Sequence, residues 1–432
     1  MQTQRNWDSE NFSFNSHPHG NSVARILVSA LNAVEPGAAV KKYLREHPLP
    51  EAKRVFAFGL GKAACAMTQA LAYETVLTDT LIITKHASRL TVEPVTVIEG
   101  NHPVPGIASL AAGSAATKFV SQLTPDDLLI CLISGGGSAL MASPLIPLDD
   151  LQSLTSALLS CGARIDEINI LRRHLDSLKG GGLVRLAALQ SAQVVSLILS
   201  DVVDDSLEDI ASGPTAPDPT TCEDAISILE KYILAVGAQH CCAPTLLQET
   251  LKPDDPVFAK VQNTLVANNI IALQSAQRQS QAEGFQTRII RASLQGEARV
   301  TGKEVALQFK ESLQTMKRPF CLLAGGETTV TLIGHGKGGR NQETALAAVD
   351  VLAGLDDVMF ISLATDGEDG PTDAAGAVVT GESAQRAESL GMFAPDYLLR
   401  NDAYHFFESL NDLVKTGPSG TNVNDLILCF AF

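Results

Sequence analysis

The chain has 432 residues and a formal net charge of −16, so it lacks the basic surplus that nucleic-acid binders and proteins of anionic membranes normally carry. Its 45% share of hydrophobic residues excludes extended disorder, and its length exceeds one ordinary core, which favours two domains. With 33 glycines and 5% aromatic residues, the composition is typical of an α/β enzyme whose helices pack closely on a sheet.

A first helix is predicted from Ser22 to Val34, where apolar residues recur at three- and four-residue spacing behind a serine that can cap the helix. Short apolar runs and helical segments then alternate, which favours a mostly parallel sheet with helices on both faces. The predicted strands are 55–58, 81–84, 95–98, 128–133 and 194–199, and the predicted helices include 62–73 and 108–123.

A proline-rich segment from Ala216 to Pro256 is predicted to connect the two domains. A second alternation follows it, with strands at 263–267, 287–290, 320–324, 359–364 and 426–430 and helices at 270–283, 298–316 and 341–352. We therefore predict a Rossmann-like first domain, residues 22–255, and a second α/β domain, residues 256–432, each built on a mostly parallel sheet flanked by helices.

The cysteines and the N-terminus indicate the compartment. None of the eight cysteines belongs to a Cys-x-x-Cys pair, and Cys131, Cys321 and Cys429 lie in apolar strand-like runs, as buried thiols of a reducing compartment do. The first residues lack the apolar segment of a secretory signal, and no run approaches the ~18 to 20 apolar residues of a membrane span. We expect a soluble, cytoplasmic protein that has neither a membrane nor a nucleic acid as partner.

The glycine loop after the fourth predicted strand is the first candidate site. Leu128 to Ile133 is followed by Ser134, then Gly135, Gly136 and Gly137, then Ser138, which reads as strand, turn and helix. Glycines allow close backbone approach, so free N–H groups and the serine hydroxyls could bind an anion. The loop has neither the P-loop nor the Gly-x-Gly-x-x-Gly spacing. A tight turn without a ligand is the alternative interpretation.

Two cations lie in glycine-rich strand ends, the edge where open α/β sheets bind ligands. Lys62 follows Gly59-Leu-Gly61 and could present its ammonium group to a phosphate or carboxylate, whereas a solvated lysine in a first helical turn would oppose the helix dipole. Arg340 follows Gly338 and Gly339 and could fork onto the same groups; the alternative is an arginine in a surface loop.

Three carboxylates are candidates for a base or a metal ligand. Asp201 and Asp366 each follow an apolar strand, and either could hold a metal ion, accept a proton from a hydroxyl group or merely cap a helix. Glu327 could bind the metal or close its turn. Asp369 and Asp373, in a Gly/Pro-rich turn, are more typical of turn formers.

Eight motifs occur together in this chain in the order in which one known family carries them. They are Gly59–Lys62, Gly100–Pro103, Leu132–Leu140, Ser200–Asp204 with Ser212–Thr215, Gly325–Thr329, Gly339–Glu343, Thr365–Asp373 and Gly417–Val423. Over about residues 22 to 430 the chain resembles the class II glycerate kinases, or glycerate 2-kinases, whose C-terminal part is called the MOFRL domain. Eight ordered motifs are far more specific than any single one.

The resemblance implies ATP-dependent phosphorylation of D-glycerate at its 2-hydroxyl, in a cleft between two α/β domains, with the MOFRL region at about 318–428. It implies ATP and Mg²⁺ as cofactors, small-molecule partners, and a monomer or homodimer. Lys62 and Arg340 match a lysine and an arginine that are regarded as functional in this family. The longer polar N-terminus and Glu368 depart from the family pattern without removing a charged group from the motifs.

Phosphoryl transfer needs positioning and charge neutralisation, which these residues could supply. The glycine loop and Ser138 would bind nucleotide phosphates or the substrate carboxylate, as would Asn341 at a helix start. Lys62 and Arg340 would neutralise the transferred group, Asp201 would be the base, and Asp366 or Glu327 would bind the metal or the nucleotide. Replacing Lys62 or Arg340 is predicted to lower kcat by a factor on the order of 10² while leaving the fold intact.

Two other functions remain open from the sequence. An NAD(P)H-dependent hydroxypyruvate reductase would need a dinucleotide fingerprint, of which Gly59-Leu-Gly61 supplies only the first two glycines. A non-enzymatic module that senses hydroxy acids or sugar phosphates would keep the glycine loops but would not need Asp201, Glu327 and Asp366 at strand ends.

Overall fold

The computed structural model describes residues 12, 17–236 and 247–432; Cys241 and Cys242 of the predicted thiols lie outside these ranges. The strands are β1 (Arg54–Leu60), β2 (Asp79–Thr84), β3 (Thr96–Glu99), β4 (Asp127–Ile133), β5 (Gln193–Leu199), β6 (Val261–Ala267), β7 (Gln286–Leu294), β8 (Phe320–Gly326), β9 (Val358–Ala364), β10 (Gly376–Thr380), β11 (Leu413–Val414) and β12 (Asp425–Ala431).

The helices are α1 (Gly20–Ala33), α2 (Pro36–Glu46), α3 (Ala64–Glu74), α4 (Ile107–Ser121), α5 (Gly137–Leu140), α6 (Leu148–Ser160), α7 (Ile165–His174), α8 (Gly182–Leu189), α9 (Cys222–Val236), α10 (Asn269–Ala282), α11 (Ala298–Thr315), α12 (Arg340–Leu352), α13 (Ser383–Ser389), α14 (Ala394–Arg400) and α15 (Ala403–Leu410). Within the described ranges no single helix is long and apolar enough to cross a membrane, and only the bent pair α1 and α2, taken together, meets that test.

The chain divides into two compact units, which confirms the α/β two-domain class. Among the described residues, the first unit holds 36–236 and 247–266, and the second holds 12, 17–35 and 267–432. These bounds differ from the predicted domains 22–255 and 256–432 at both ends. Helix α1 packs on α10 of the second unit, because its buried apolar face is completed by a helix far away in sequence. Sequence periodicity shows that face but not its partner.

The first unit is a doubly wound sheet of order β3-β2-β1-β4-β5-β6. The strand pairs from β3 to β5 are parallel, as predicted, and the strands β1, β2, β4 and β5 are largely buried. The order reverses between β1 and β4, and in such sheets ligands bind outside the carboxyl ends of the strands at this reversal. The ends of β1 and β4 therefore form the expected ligand position.

Strand β6 corrects one prediction. The sequence placed 263–267 in the second domain, but β6 is the edge strand of the first sheet, beside β5. Thr215 Oγ1 donates a hydrogen bond to Asn263 Oδ1 at 3.0 Å, and Asn263 Nδ2 donates one to the Thr215 carbonyl at 2.8 Å. The sequence of a short apolar strand does not show which sheet the strand will join. Tertiary contacts such as these place β6 in the first sheet.

The second unit has a mixed sheet of order β11-β10-β9-β12-β8-β7, not the mostly parallel sheet predicted. β7 and β8 are parallel, whereas β12 runs antiparallel between β8 and β9, and β10 is antiparallel to β9 and β11. The first residue of β12, Asp425, thus pairs with the last residues of β8 and β9, Gly326 and Ala364. An acidic residue that begins a strand is brought to the edge where neighbouring strands end.

Helix α12 lies in the core of the second unit, and Asn341 to Val349 are all buried. It packs closely on α11, since a Cβ at Gly302 would lie 2.2 Å from the Thr344 carbonyl oxygen. Close packing of this kind fixes the start of α12, where Arg340 is the first residue.

Candidate active site

In the first unit, the loops after β1 and β4 are joined by backbone hydrogen bonds. The Lys62 N–H donates to the Gly135 carbonyl at 3.0 Å, and the Ser134 N–H donates to the Leu60 carbonyl at 2.8 Å. The Ala63 N–H donates to Ser134 Oγ at 3.0 Å. The predicted Lys62 loop and the predicted glycine loop are therefore neighbours that hold each other in place.

Gly61 makes this junction possible. Its φ is +117°, and a Cβ there would lie 2.3 Å from the Ser134 carbonyl oxygen. We expect Gly61→Ala to destabilise the protein by roughly 3 kcal/mol or more, because both backbone strain and a clash with main-chain atoms would result. Chemical denaturation measures the loss. Gly162→Ala is the matched control, since its φ is +74° and nothing lies within 4 Å of the added carbon; equal losses in both variants would contradict a tight junction.

The glycine loop brings two predicted side chains, Lys62 and Asp201, close to His102. A Cβ on Gly135 would lie 1.8 Å from Asp201 Oδ2, and a Cβ on Gly136 would lie 3.2 Å from Lys62 Cε and 3.4 Å from His102 Cδ2. The side chains of Asp201, Lys62 and His102 therefore surround backbone that only glycine allows to come so near. The predicted helix behind the loop is a single turn, α5, so little helix dipole can add to anion binding here.

Burial and charge act on the titratable groups of this cluster. Burial raises the pKa of Asp201, and the nearby ammonium group of Lys62 opposes that rise. Burial lowers the pKa of His102, and the positive charges of Lys62, Lys85 and Arg172 lower it further. The sequence analysis missed Lys85 and Arg172. Lys85 directly follows β2, so the strand-end rule that found Lys62 could have found it; Arg172 lies on α7, and no local signal marks it.

Ser138 has a partner that the sequence did not pair with it. Its Oγ lies 2.8 Å from Ser212 Oγ. Ser212 and the preceding Ala211 both adopt positive φ, +59° and +52°. Non-glycine residues in this region are strained, and such strain persists only where the surrounding structure fixes it. Ser138 is therefore held at the glycine loop by a buried hydroxyl group on a constrained segment.

The second unit places Arg340 among carboxylates. Arg340 Nε and Nη2 donate to Asp425 Oδ2 and Oδ1 at 2.7 and 3.0 Å, and Nη1 lies 2.7 Å from Glu327 Oε1. Asp425 is buried, whereas the Glu327 side chain is 41% exposed. Sequence analysis missed Asp425, because it sits at the start of β12 and the strand-end rule examines only carboxyl ends.

Asp369 fixes the N-terminus of α12. Its carboxylate accepts hydrogen bonds from the N–H groups of Gln342 at 2.8 Å and Asn341 at 3.1 Å. The prediction of a turn former understates this role, because Asp369 is buried and caps the helix that carries Arg340. Burial raises the pKa of Asp369 from 3.8 to about 7, although these N–H groups and Arg340 oppose the rise.

The raised pKa of Asp369 predicts a pH dependence of stability. The native state binds the proton of the Asp369 carboxyl group more tightly than the unfolded chain does. The contribution of this protonation to the free energy of unfolding is therefore complete below about pH 4 and is lost as the pH rises to about 7. We expect the difference in unfolding free energy between wild type and Asp369→Asn to change across this range, with wild type losing stability relative to the variant. Urea unfolding at several pH values measures it. A difference that is constant from pH 4 to 7 would contradict the assignment.

The remaining predicted site residues differ in accessibility. Asn341 was predicted to bind a ligand, but it is 1% exposed. Its Oδ1 accepts a hydrogen bond from Ser362 Oγ at 2.7 Å, so its side chain bonds within the protein. Asp366 is half-buried; its Oδ1 accepts from the Glu368 N–H at 3.1 Å, while Oδ2 has no donor among the described residues. Asp366 and Glu327 thus each present carboxylate oxygen to solvent.

A preformed metal cluster does not include these carboxylates. Within the described ranges, the group of three His, Cys, Asp or Glu side chains close enough to share an ion is His174, Cys222 and Glu249. Magnesium, however, is usually held by one or two carboxylates together with substrate phosphates and water. Asp366 or Glu327 could serve in that way, so the donor set fits Mg²⁺ that arrives with a nucleotide.

Two family models and several known proteins are similar to this chain. Residues 22–242 match the family described as Domain of unknown function (DUF4147), and residues 320–425 match the MOFRL family. A D-glycerate 2-kinase of Thermotoga maritima is 40% identical over 412 residues, covering 93% of this chain and 96% of that protein. A relative from Agrobacterium vitis, which bears the provisional name hydroxypyruvate reductase, is 37% identical over 413 residues, covering 93% of this chain and 92% of its own.

A solved structure extends the agreement to the fold. The crystal structure of a glycerate kinase from Thermotoga maritima superposes with a TM-score of 0.87 at 38% identity, covering 95% of this chain and 99% of that one. Two family matches, full-length relatives and a common fold lead to one conclusion: the chain belongs to the glycerate 2-kinase family with a C-terminal MOFRL domain.

Proposed function

We propose that the protein transfers the γ-phosphoryl group of ATP to the 2-hydroxyl of D-glycerate, giving 2-phosphoglycerate and ADP. The observation that carries the proposal is the cluster of Lys62, Asp201 and the Gly135–Gly137 loop at the reversal point of the first sheet. A cation, a carboxylate and open backbone at one strand edge are what phosphoryl transfer requires of a protein.

Asp201 is the proposed base for the 2-hydroxyl. Burial raises its pKa, which makes it a stronger proton acceptor than an exposed aspartate. The proton of the attacking hydroxyl would pass to an Asp201 carboxylate oxygen as the oxygen–phosphorus bond forms. Lys62, within electrostatic reach of Asp201, would neutralise negative charge on the transferred group.

Arg340 is proposed to act through the edge of its guanidinium group that faces Glu327. The Asp425 pair on the other edge is buried and fixes the fork, whereas Glu327 is 41% exposed and can exchange with a phosphate oxygen. Asp369 holds the helix start that presents Arg340. In this proposal the two carboxylates have different roles: Asp425 keeps the arginine in position, and Glu327 is replaced by a phosphate oxygen when the ligand binds.

Magnesium is proposed to bind at Asp366 or Glu327 together with the phosphates of ATP. When bound, Mg²⁺ would neutralise phosphate charge during transfer. The accessible oxygen atoms of these side chains are of the type that Mg²⁺ prefers. The glycine loop and Ser138 are proposed to bind nucleotide phosphate or substrate carboxylate through backbone N–H and hydroxyl groups.

We further propose that the protein works in the cytoplasm as a monomer or homodimer. The six described cysteines are all free thiols, and four of them are buried. This usage fits a reducing compartment.

Two assays in parallel test the proposed reaction. Purified protein is supplied with D-glycerate, Mg²⁺ and ATP and followed for ADP, and separately with hydroxypyruvate and NADH and followed for NADH oxidation. We expect ADP only when glycerate is present, and no NADH oxidation. NADH oxidation without ADP formation would support the reductase that one relative's name suggests, and binding without either reaction would support a sensing module.

A further inference from the structure

Helix α7 carries two consecutive arginines whose surroundings differ. Arg173 is 3% exposed; its Nη1 lies 2.7 Å from Asp209 Oδ1, and its Nε lies 3.0 Å from Asp218 Oδ2. Arg172 has only a long hydrogen bond, 3.4 Å from Nη1 to Asn169 Oδ1, and no carboxylate among the described residues forms an ion pair with it. Successive side chains of a helix point about 100° apart. Arg173 therefore stabilises the position of α7 through its ion pairs, while Arg172 points in a different direction.

Arg172 is also withdrawn from water. It is half-buried, and burial lowers the pKa of its guanidinium group. A charge that is removed from water without a counter-ion is unfavourable, and proteins seldom leave one so unless a ligand supplies the opposite charge. Arg172 therefore has the surroundings of a group that awaits an anion.

Other cations lie in the same region of the first unit. Lys62 and His102 flank Gly136, and Lys85 follows β2, whose end lies beside that of β1. Helix α7, which carries Arg172, reaches the same region: Arg173 Nη1 donates to the Glu208 carbonyl at 3.2 Å, and four residues further on Ser212 contacts Ser138 of the glycine loop. The positive charges of Lys62, Lys85 and Arg172 all act on His102. The carboxylate of Asp201 lies at Gly135 of the same loop, and burial disfavours its charged form. In a chain of net charge −16, such a concentration of positive charge is local and specific.

We propose that Arg172 and Lys85 form, beside Lys62, an anion subsite that binds a carboxylate or phosphate oxyanion of the substrate. The planar guanidinium group can donate two parallel hydrogen bonds to a pair of oxygen atoms, and the Lys85 ammonium group adds a point charge. The inference rests on the proposed function for the identity of the ligand, D-glycerate or ATP, but not for the existence of the subsite.

The subsite is tested by titration calorimetry on the full chain with three probes: D-glycerate, ATP with Mg²⁺, and inorganic phosphate. We expect Arg172→Gln to weaken at least one probe by about tenfold or more and Lys85→Gln to weaken the same probe by about threefold. Weakened D-glycerate with unchanged ATP identifies the carboxylate as the anion, and the reverse identifies a phosphate. Lys85 is exposed, so its variant answers the question even if Arg172→Gln fails to fold.

Arg164→Gln is the matched control, because Arg164 precedes the same helix, is 72% exposed and pairs with Asp166. Its affinities are expected to stay within twofold of wild type. Affinities of folded Arg172→Gln or of Lys85→Gln that equal those of the control for all three probes would overturn the proposal, as would wild-type protein that binds none of them. Binding that depends on Arg172 without ADP formation would keep the subsite and reject only the proposed reaction.

Discussion

Arg340→Ala is expected both to destabilise the protein and to remove most of its activity. The substitution leaves Asp425 as an uncompensated carboxylate in a buried position, where loss of one partner of an ion pair costs about 3–5 kcal/mol. For a protein of this size the thermal midpoint should fall on the order of 10 °C. The kcat should fall by a factor on the order of 10² or more, since the guanidinium edge that would neutralise the phosphoryl group is lost.

Calorimetry and steady-state kinetics separate the two effects of Arg340→Ala. Arg291→Ala is the control in the same unit, because Arg291 and its partner Glu304 are both about half exposed and their pair should contribute little. The double variant Arg340→Ala with Asp425→Asn should regain part of the lost stability and none of the lost turnover. A thermal midpoint equal to that of wild type in Arg340→Ala, as the sequence alone predicted, would contradict the anchoring role of Asp425.

Lys62→Ala is expected to lower kcat by a factor on the order of 10² or more without changing stability. The Lys62 side chain is exposed, and no carboxylate in the described ranges forms an ion pair with it. The loop is held by the backbone N–H of Lys62, which alanine retains. Removal of the ammonium group therefore deletes only charge that acts during transfer, where such an interaction lowers kcat rather than the fraction of folded protein.

Kinetics with saturating ATP and glycerate, beside a thermal scan, measure the effect of Lys62→Ala. Lys53→Ala is the matched control, since Lys53 is 77% exposed and lies in the same unit just before β1. Its turnover is expected to equal that of wild type. Near-normal turnover in Lys62→Ala would make Lys62 a surface charge and would remove it from the proposed site.

Stability is expected to fall in Arg340→Ala but not in Lys62→Ala. The sequence identified both cations, but it did not identify the buried carboxylate that pairs with Arg340. Glycine-rich strand ends located Lys62 and Arg340, since the parallel strands β1, β4, β8 and β9 bring their carboxyl ends to one edge of each sheet. The partner of Arg340 could not be found in that way. Asp425 reaches the same edge only because β12 is antiparallel to its neighbours, and strand direction is a property of the assembled sheet.

The same limit explains the other differences. An apolar run such as 263–267 predicts a strand but not its sheet, and α1 predicts a buried face but not the helix that covers it. No motif surrounds Arg172 in the sequence. Only the folded structure shows that Asp209 and Asp218 pair with Arg173, and that no carboxylate of the described residues pairs with Arg172. Local pattern thus predicted the elements and the loops, while burial and long-range pairing decided which charges remain available.

The central claim, transfer of a phosphoryl group to the 2-hydroxyl of glycerate, is tested most directly by the identity of the product. Phosphorus NMR of a reaction with D-glycerate, Mg²⁺ and ATP, recorded with proton coupling, distinguishes the two phosphoglycerates. A phosphate on carbon 2 couples to one proton and gives a doublet, and a phosphate on carbon 3 couples to two protons and gives a triplet. The account predicts a doublet that grows as ATP is converted to ADP. A triplet, or inorganic phosphate alone, would contradict it.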